Sequence, residues 1–252
     1  MGIVDFEIQN RYSFANGVSF GNVGRYERID AVAHYAVDPS SAANQQIVDL
    51  ASTTRGSDGL VHYDGDVTVL RPVDPNLSRR AALVEVPNRG YRTAGSLFNR
   101  APRLVEPTAE IDPGDGFLFR HGWTMAWCGW QWDVPRSAGR MGLTAPLVVD
   151  DMGDEVDAEV QLRLQIHQKT MSVDLTDHHV GLLGGHQPLP TGDLNDASAR
   201  LLRRDGIWGE PEEMSRSSWS FARDDGSGQP VPDPDHVWLS TGFEPGRIYD
   251  LV

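Results

Sequence analysis

The stretch Pro113–Pro135, PGDGFLFRHGWTMAWCGWQWDVP, constrains the fold of this chain more than any other. It holds four of the seven tryptophans and the only cysteine. A Pro-Gly-Asp turn leads into Gly116–His121, which predicts a short helix. Gly122 is placed to close it, because glycine takes the left-handed backbone that ends a helix without a Cβ penalty. Trp123–Trp127 then reads as a buried strand, and Gly129 opens a loop carrying Trp130, Gln131, Trp132 and Asp133. A helix closed by glycine and followed at once by an apolar strand is the second half of a βαβ unit.

The first half lies upstream. Ala81–Val86 (AALVEV) is apolar throughout except for Glu85, the pattern of a central strand. It stops at Pro87-Asn88-Arg89-Gly90, a polar loop past the carboxyl end of a strand, where open α/β sheets place their chemistry; an ordinary βα turn reads the same way. Before it, Gly24–Pro39 predicts an antiparallel strand and Ala42–Leu50 a short surface helix. Val61–Tyr63 and Val67–Leu70 predict a second strand region, interrupted at Asp64-Gly65-Asp66 by a tight hairpin or a bulge. The first 135 residues therefore read as an α/β core.

After Pro135 the character changes. An acidic cluster spans 150–157, and Ala158–His167 alternates apolar and polar residues like a half-exposed antiparallel strand, with Met171–Leu175 as its partner. Asp177–Gln187 reads as a loop, Ala199–Asp205 as a short strand or helical turn, and Asp224–Asp235 as a surface loop. Arg247–Val252 is strand-like up to the last residue, and the polypeptide is expected to continue past it.

Composition excludes several classes. A net charge of -14 repels the phosphates of nucleic acids and acidic membranes. A single cysteine rules out an intrachain disulfide. No apolar run approaches the length of a membrane span, and MGIVDFEIQNRYSF has no basic region leading into an apolar one, so the default expectation is a cytoplasmic protein.

The residues that could carry chemistry leave alternatives open. There is no G-x-S-x-G, and Ser57 and Ser227 lie in turns that follow no central strand, so no catalytic serine is assigned. Cys128 is a nucleophile only if a histidine such as His121 reaches it; otherwise it is a buried structural thiol. Asp177, His178, His179 and His186 could furnish three donors for zinc or form a polar surface loop, and no HExxH decides between them. The acidic residues at 150–157 lack the calcium-loop pattern. Trp130 and Trp132 would share a face on an extended segment, as a stacking platform for a sugar or aromatic group or as packing between lobes.

Several segments together resemble the bacterial "alpha/beta hydrolase domain" proteins, large esterases: VEVPNRG (84–90), GDGFLFRHGWTMAWCGWQWDVP (114–135), WSFA (219–222) and GFEPGRIYDLV (242–252). YERIDAVAHYAVDP (26–39) and the Asn44–Asp49 helix fit the same pattern, so the resemblance runs in order along nearly the whole chain. It implies a partial α/β-hydrolase-like mixed sheet with an additional β-rich lobe. Residues 1–135 would form the first part of the core, 136–241 an inserted lobe and 242–252 the start of a further core strand. Ala81–Val86 would be the third strand and Trp123–Trp127 the fourth. Asn88, Arg89 and Gly90 would form the turn whose backbone N–H groups face a developing oxyanion. Trp127, Gly129, Trp130, Gln131, Trp132 and Asp133 would line the pocket for a small-molecule ester. The nucleophile elbow would follow GRIYDLV, placing serine, acid and histidine beyond Val252, with no cofactor. The chain alone would lack triad chemistry, and a sheet short of its later strands would offer an edge for self-association. Against this stand a non-catalytic binding module built on Trp130 and Trp132, and a metal-dependent enzyme using His178, His179 and His186.

Overall fold

A computed structural model describes residues 2–103, 108–137, 139–176 and 186–252. The chain forms two compact units, Met1–Val156 and Asp157–Val252. The division between the units falls at 156/157 rather than at the expected 135/136, because 143–156 still bonds into the first unit: Leu143–Thr144 pairs with a strand there, and Val149 N donates to Ser52 O.

The first unit is a mixed parallel and antiparallel sheet with few helices. Its strands are β1 (Gly2–Ser13), β2 (Ser19–Phe20), β3 (Gly24–Val37), β4 (Val61–Pro72), β5 (Ala82–Glu85), β6 (Thr124–Cys128) and β7 (Leu143–Thr144), in the order β1-β3-β4-β6-β5 with β2 on β3 and β7 on β4. Only β5 and β6 are parallel, and the chain between them carries the helices α1 (Ala94–Phe98) and α2 (Phe117–Arg120). The strand-crossover-strand unit read from the sequence is present, with β6 displaced by one residue from its expected start.

Three local expectations change. β3 and β4 pair without a break from Tyr26↔Pro72 to Val37↔Val61, so Asp64-Gly65-Asp66 is neither hairpin nor bulge. The aspartates are spoken for by partners across the sheet: Asp64 pairs with His34, and Asp66 accepts from Gly142 N at 2.9 Å. Gly65 is where the Gly129 carbonyl approaches, 3.2 Å from where a Cβ would stand. Ala42–Leu50 forms no α-helix but short 3-10 turns at Ala42–Asn44 and Leu50–Ser52, separated by Asp49 in the left-handed region at φ 58°. β5 is not central but lies at the margin of the described sheet, because the crossover returns β6 to the inside, between β4 and β5. Val84 on this strand and Val86 just past its end are left 60% and 56% exposed.

The core of this unit is aromatic. Phe14, Phe20, Tyr26 and Phe119 pack with ring centroids 4.9–6.1 Å apart, and Met125 and Trp127 of β6 point into the same cluster. Gly116 (φ 69°) and Gly122 (φ 72°) bracket α2, and a Cβ on Gly122 would meet Leu77 O at 2.8 Å. The Tyr26 hydroxyl sits 3.1 Å from Phe119 O and 3.0 Å from Trp123 O, tying β3 to both ends of the α2–β6 corner. Burial raises the Tyr26 phenol well above its ordinary pKa, so it stays a donor. Tyr26→Phe is expected to cost about 1–2 kcal/mol, the worth of a buried hydrogen bond whose acceptor is left unmet, read as a lower urea midpoint with an unchanged m-value.

The second unit is antiparallel. β8 (Leu162–Gln165), β10 (Leu201–Arg204), β11 (Glu212–Glu213) and β16 (Ile248–Leu251) form a sheet in the order β11-β10-β16-β8. β9 (Thr170–Asp174), β12 (Trp219–Ser220) and β15 (His236–Phe243) form a second, and β13 (Ala222–Asp224) and β14 (Pro230–Pro232) a hairpin. Leu164, Leu201, Val237, Leu239 and Phe243 form the centre of its core. The expected core strand at 242–252 is found here instead: β16 lies between β8 and β10, with Leu251 opposite both Leu162 and Leu201. Electrostatics select this place. Asp250 is 1% exposed, and Arg163 of β8 and Arg204 of β10 each reach it at 2.7 Å.

Among the described residues no helix is long and apolar enough to cross a membrane. Burial works to raise the Asp250 pKa, but hydrogen bonds and charge from Arg163 and Arg204 outweigh it and hold the carboxyl below its usual range. A carboxylate depressed in the folded state contributes fully above its unfolded pKa of about 4 and loses that contribution as pH falls through the folded value. Asp250→Asn is expected to lower Tm near neutral pH and to flatten the loss of Tm below about pH 4; an acid limb identical to wild type would show that the pair does not act this way.

Candidate functional site

The carboxyl ends of the parallel pair β5 and β6 lie at the same margin of the sheet, and the loops that leave them, 86–93 and 129–142, are bonded together. Trp130 Nε1 donates to Pro87 O at 2.9 Å. The backbone N–H of Arg89 donates to Gln131 Oε1. Arg89 Nη1 pairs with Asp133 Oδ2 at 2.7 Å, both side chains about four-fifths buried. Arg140 Nε donates to Arg89 O at 3.1 Å while its guanidinium stacks over Tyr91, and Met141 N donates to Gly90 O at 2.9 Å.

The turn itself has an unusual backbone. Arg89 (φ 53°) and Gly90 (φ 79°) are both left-handed. A non-glycine residue there is costly and persists only where surrounding contacts fix it. Here the Arg89 backbone is held through its N–H, its carbonyl and its side chain at once. The N–H groups of Gly90 and Tyr91 are used inside the turn, on Pro87 O at 3.5 Å and Asn88 O at 3.2 Å, which leaves the Arg89 N–H as the donor that bonds outside it. Gln131 Oε1 occupies the Arg89 donor, so an oxyanion at this point would displace a neutral carbonyl oxygen rather than a stronger partner.

The residues read from the sequence divide. Asn88, Arg89, Gly90, Trp130, Gln131 and Asp133 come together in this loop pair. Trp127 is fully buried, with Nε1 bonded to Glu85, and borders a small cleft together with Arg92, Ile111 and Asp112. Gly129 is a packing position, where a Cβ would stand 2.4 Å from Gly142 O. Trp130 and Trp132 are each 52% exposed, with Trp132 in a turn at 132–133.

Four contributors escape the sequence. Arg140, Gly142, Asp66 and Arg136 brace the loop from distant positions: Gly142 N on Asp66, Arg136 Nη2 on Gly142 O at 3.1 Å, and Arg140 as above. No spacing could have signalled them, since each acts only once the loops are folded together.

The other candidates separate cleanly. Burial raises the Cys128 thiol pKa, and His121 is ring-packed on Phe117, so a thiolate–imidazole pair is not formed. Ser227 Oγ donates to Asp225 within its own turn. His178 and His179 lie outside the described residues. His186 is buried with Nδ1 2.6 Å from Gln187 O, and no group of three His, Cys, Asp or Glu able to hold a metal occurs among the described residues.

Comparison with protein-family models finds no match to this chain, and neither curated proteins nor solved structures yield one.

A Cβ on Gly90 would meet Met141 O, Met141 N and Val134 Cγ1 at 2.7, 2.8 and 2.9 Å. Gly90→Ala is therefore expected to destabilise the first unit by about 2 kcal/mol or more. Trp130 fluorescence should redden as the loops separate, whereas Gly246→Ala, strained but with nothing in the way, should leave that emission unchanged.

Proposed function

We propose that this chain supplies scaffold, oxyanion region and substrate-pocket residues to a serine carboxylic-ester hydrolase. The observation that carries the reading is the left-handed Arg89-Gly90 turn, braced by Gln131, Asp133 and Arg140, at the carboxyl end of the parallel pair. In α/β sheets that end is where ligands bind. Fixed backbone donors beside a low-dielectric wall are what an acyl-transfer transition state needs, and losing one such donor typically costs about 10²–10³ in kcat.

The reaction would run through attack of a serine Oγ on the ester carbonyl, an acyl-enzyme and hydrolysis by water. These 252 residues hold no G-x-S-x-G, so the nucleophile would come from polypeptide outside them. The outer edge of β5 suits its arrival. A further parallel strand there would pair with apolar residues already exposed and would end beside the 88–90 turn. The same edge is the surface for self-association when that strand is missing.

A second reading draws on the half-exposed Trp130 and Trp132, which would make the same loop a binding surface for a flat apolar ligand such as a sugar ring. The two are separated by experiment. The 252-residue chain should give no serine-dependent p-nitrophenyl ester turnover and no fluorophosphonate label. Expressed with downstream-encoded polypeptide carrying G-x-S-x-G, it should give both, and Gln131→Ala should alter KM more than fold stability. Turnover by the chain alone, or no elbow encoded downstream together with oligosaccharide quenching of tryptophan emission, would overturn the hydrolase reading.

A further inference from the structure

The second unit holds a cavity of about 600 Å³ walled entirely by residues 157–252. Its floor is the edge of that unit's own core, made by Leu162, Leu175, Phe221 and Leu251. These side chains are all buried against one another, so the floor is fixed by the packing that holds the unit together. The volume lies within the range of roughly 300–1,000 Å³ that small-molecule sites occupy.

The mouth has one sign of charge. Asp157, Glu159, Asp193 and Asp196 line it. Arg200 is the only basic residue in the wall among the described residues, and its Nε and Nη2 both donate to one Glu213 oxygen, at 3.0 and 2.7 Å. Asp196 accepts from Ser198 Oγ at 2.7 Å and Ser198 N at 2.8 Å. Those bonds, the side-chain one first, hold its carboxyl below the usual range, so it stays ionised well into mild acid.

An apolar floor under an anionic rim discriminates among ligand classes. Carboxylates and phosphates are repelled from the mouth. A neutral apolar molecule would fill the floor but desolvate the rim carboxylates without pairing them, which is unfavourable. A cation with an apolar body satisfies both halves. We propose that this cavity binds a small organic ammonium ion, its hydrocarbon part against Leu162, Leu175 and Phe221 and its charge between Glu159, Asp193 and Asp196. This site is independent of the 88–90 turn, and its standing does not depend on the hydrolase reading.

Three probes of one shape decide it on the intact chain: phenethylammonium, 2-phenylethanol and phenylacetate, titrated by NMR with methyl resonances of Leu162, Leu175 and Leu251 as reporters. The ammonium ion should bind and shift those methyls, with affinity falling as salt rises. The alcohol should bind at least about fivefold more weakly and the carboxylate weakest of all. The double substitution Glu159→Gln with Asp193→Asn, at two exposed positions, should weaken the ammonium ion about fivefold and abolish the preference over the alcohol. If that variant loses its fold, the ranking on the unaltered chain still decides. Equal binding of alcohol and ammonium ion, or methyl resonances that do not move, would overturn the proposal.

Discussion

One carboxylate joins the parts of the first unit that matter most. Glu85 is the only charged residue in the apolar run of β5. It accepts from Trp127 Nε1 on β6, from Thr93 through both N–H and Oγ1, and from Ala94 N at 2.7 Å at the start of α1. A partly buried carboxylate is costly unless its lone pairs are met, and here four donors from three residues meet them. The same bonds orient the fully buried indole of Trp127 and fix where the chain turns after β5. The 88–90 turn sits between Glu85 and Thr93, so these bonds anchor the chain on both sides of it.

The crossover gives that carboxylate its context. β6 returns inside β5, pairing parallel with it and antiparallel with β4, and so buries Met125 and Trp127 beneath the sheet. The cost falls on β5, left at the margin with Val84 exposed and Val86 exposed just past its end. An apolar strand at an edge is a feature that proteins ordinarily cover, charge or shorten. β5 is four residues long but carries no charge on its outer face, and so it remains a surface that another strand can use.

The two units solve the same problem by different means. In the first, a long aromatic cluster does most of the work and polar groups are gathered at one end of the sheet. In the second, three short antiparallel pieces surround a core of mixed aliphatic and aromatic side chains, and a single buried aspartate locks the last strand between two arginines. Leu251 of that strand also lines the cavity of the second unit.

The amino-acid sequence by itself determined the strand-helix-strand unit of the first half, the glycines at 116 and 122 that bracket its short helix, and the polar turn after β5. These depend on local backbone preference and on the alternation of apolar side chains, which act over a few residues. Tertiary structure alone decided that Asp64-Gly65-Asp66 stays in a straight strand and that Trp127 goes inward to Glu85. It also decided that Arg140 reaches back to residue 89, and that the final strand belongs with Arg163 and Arg204 rather than with the first sheet. Each of those outcomes turns on matching a charge or donor to a partner dozens of residues away. Nothing in local pattern encodes such a partner, because its identity exists only when the chain is folded.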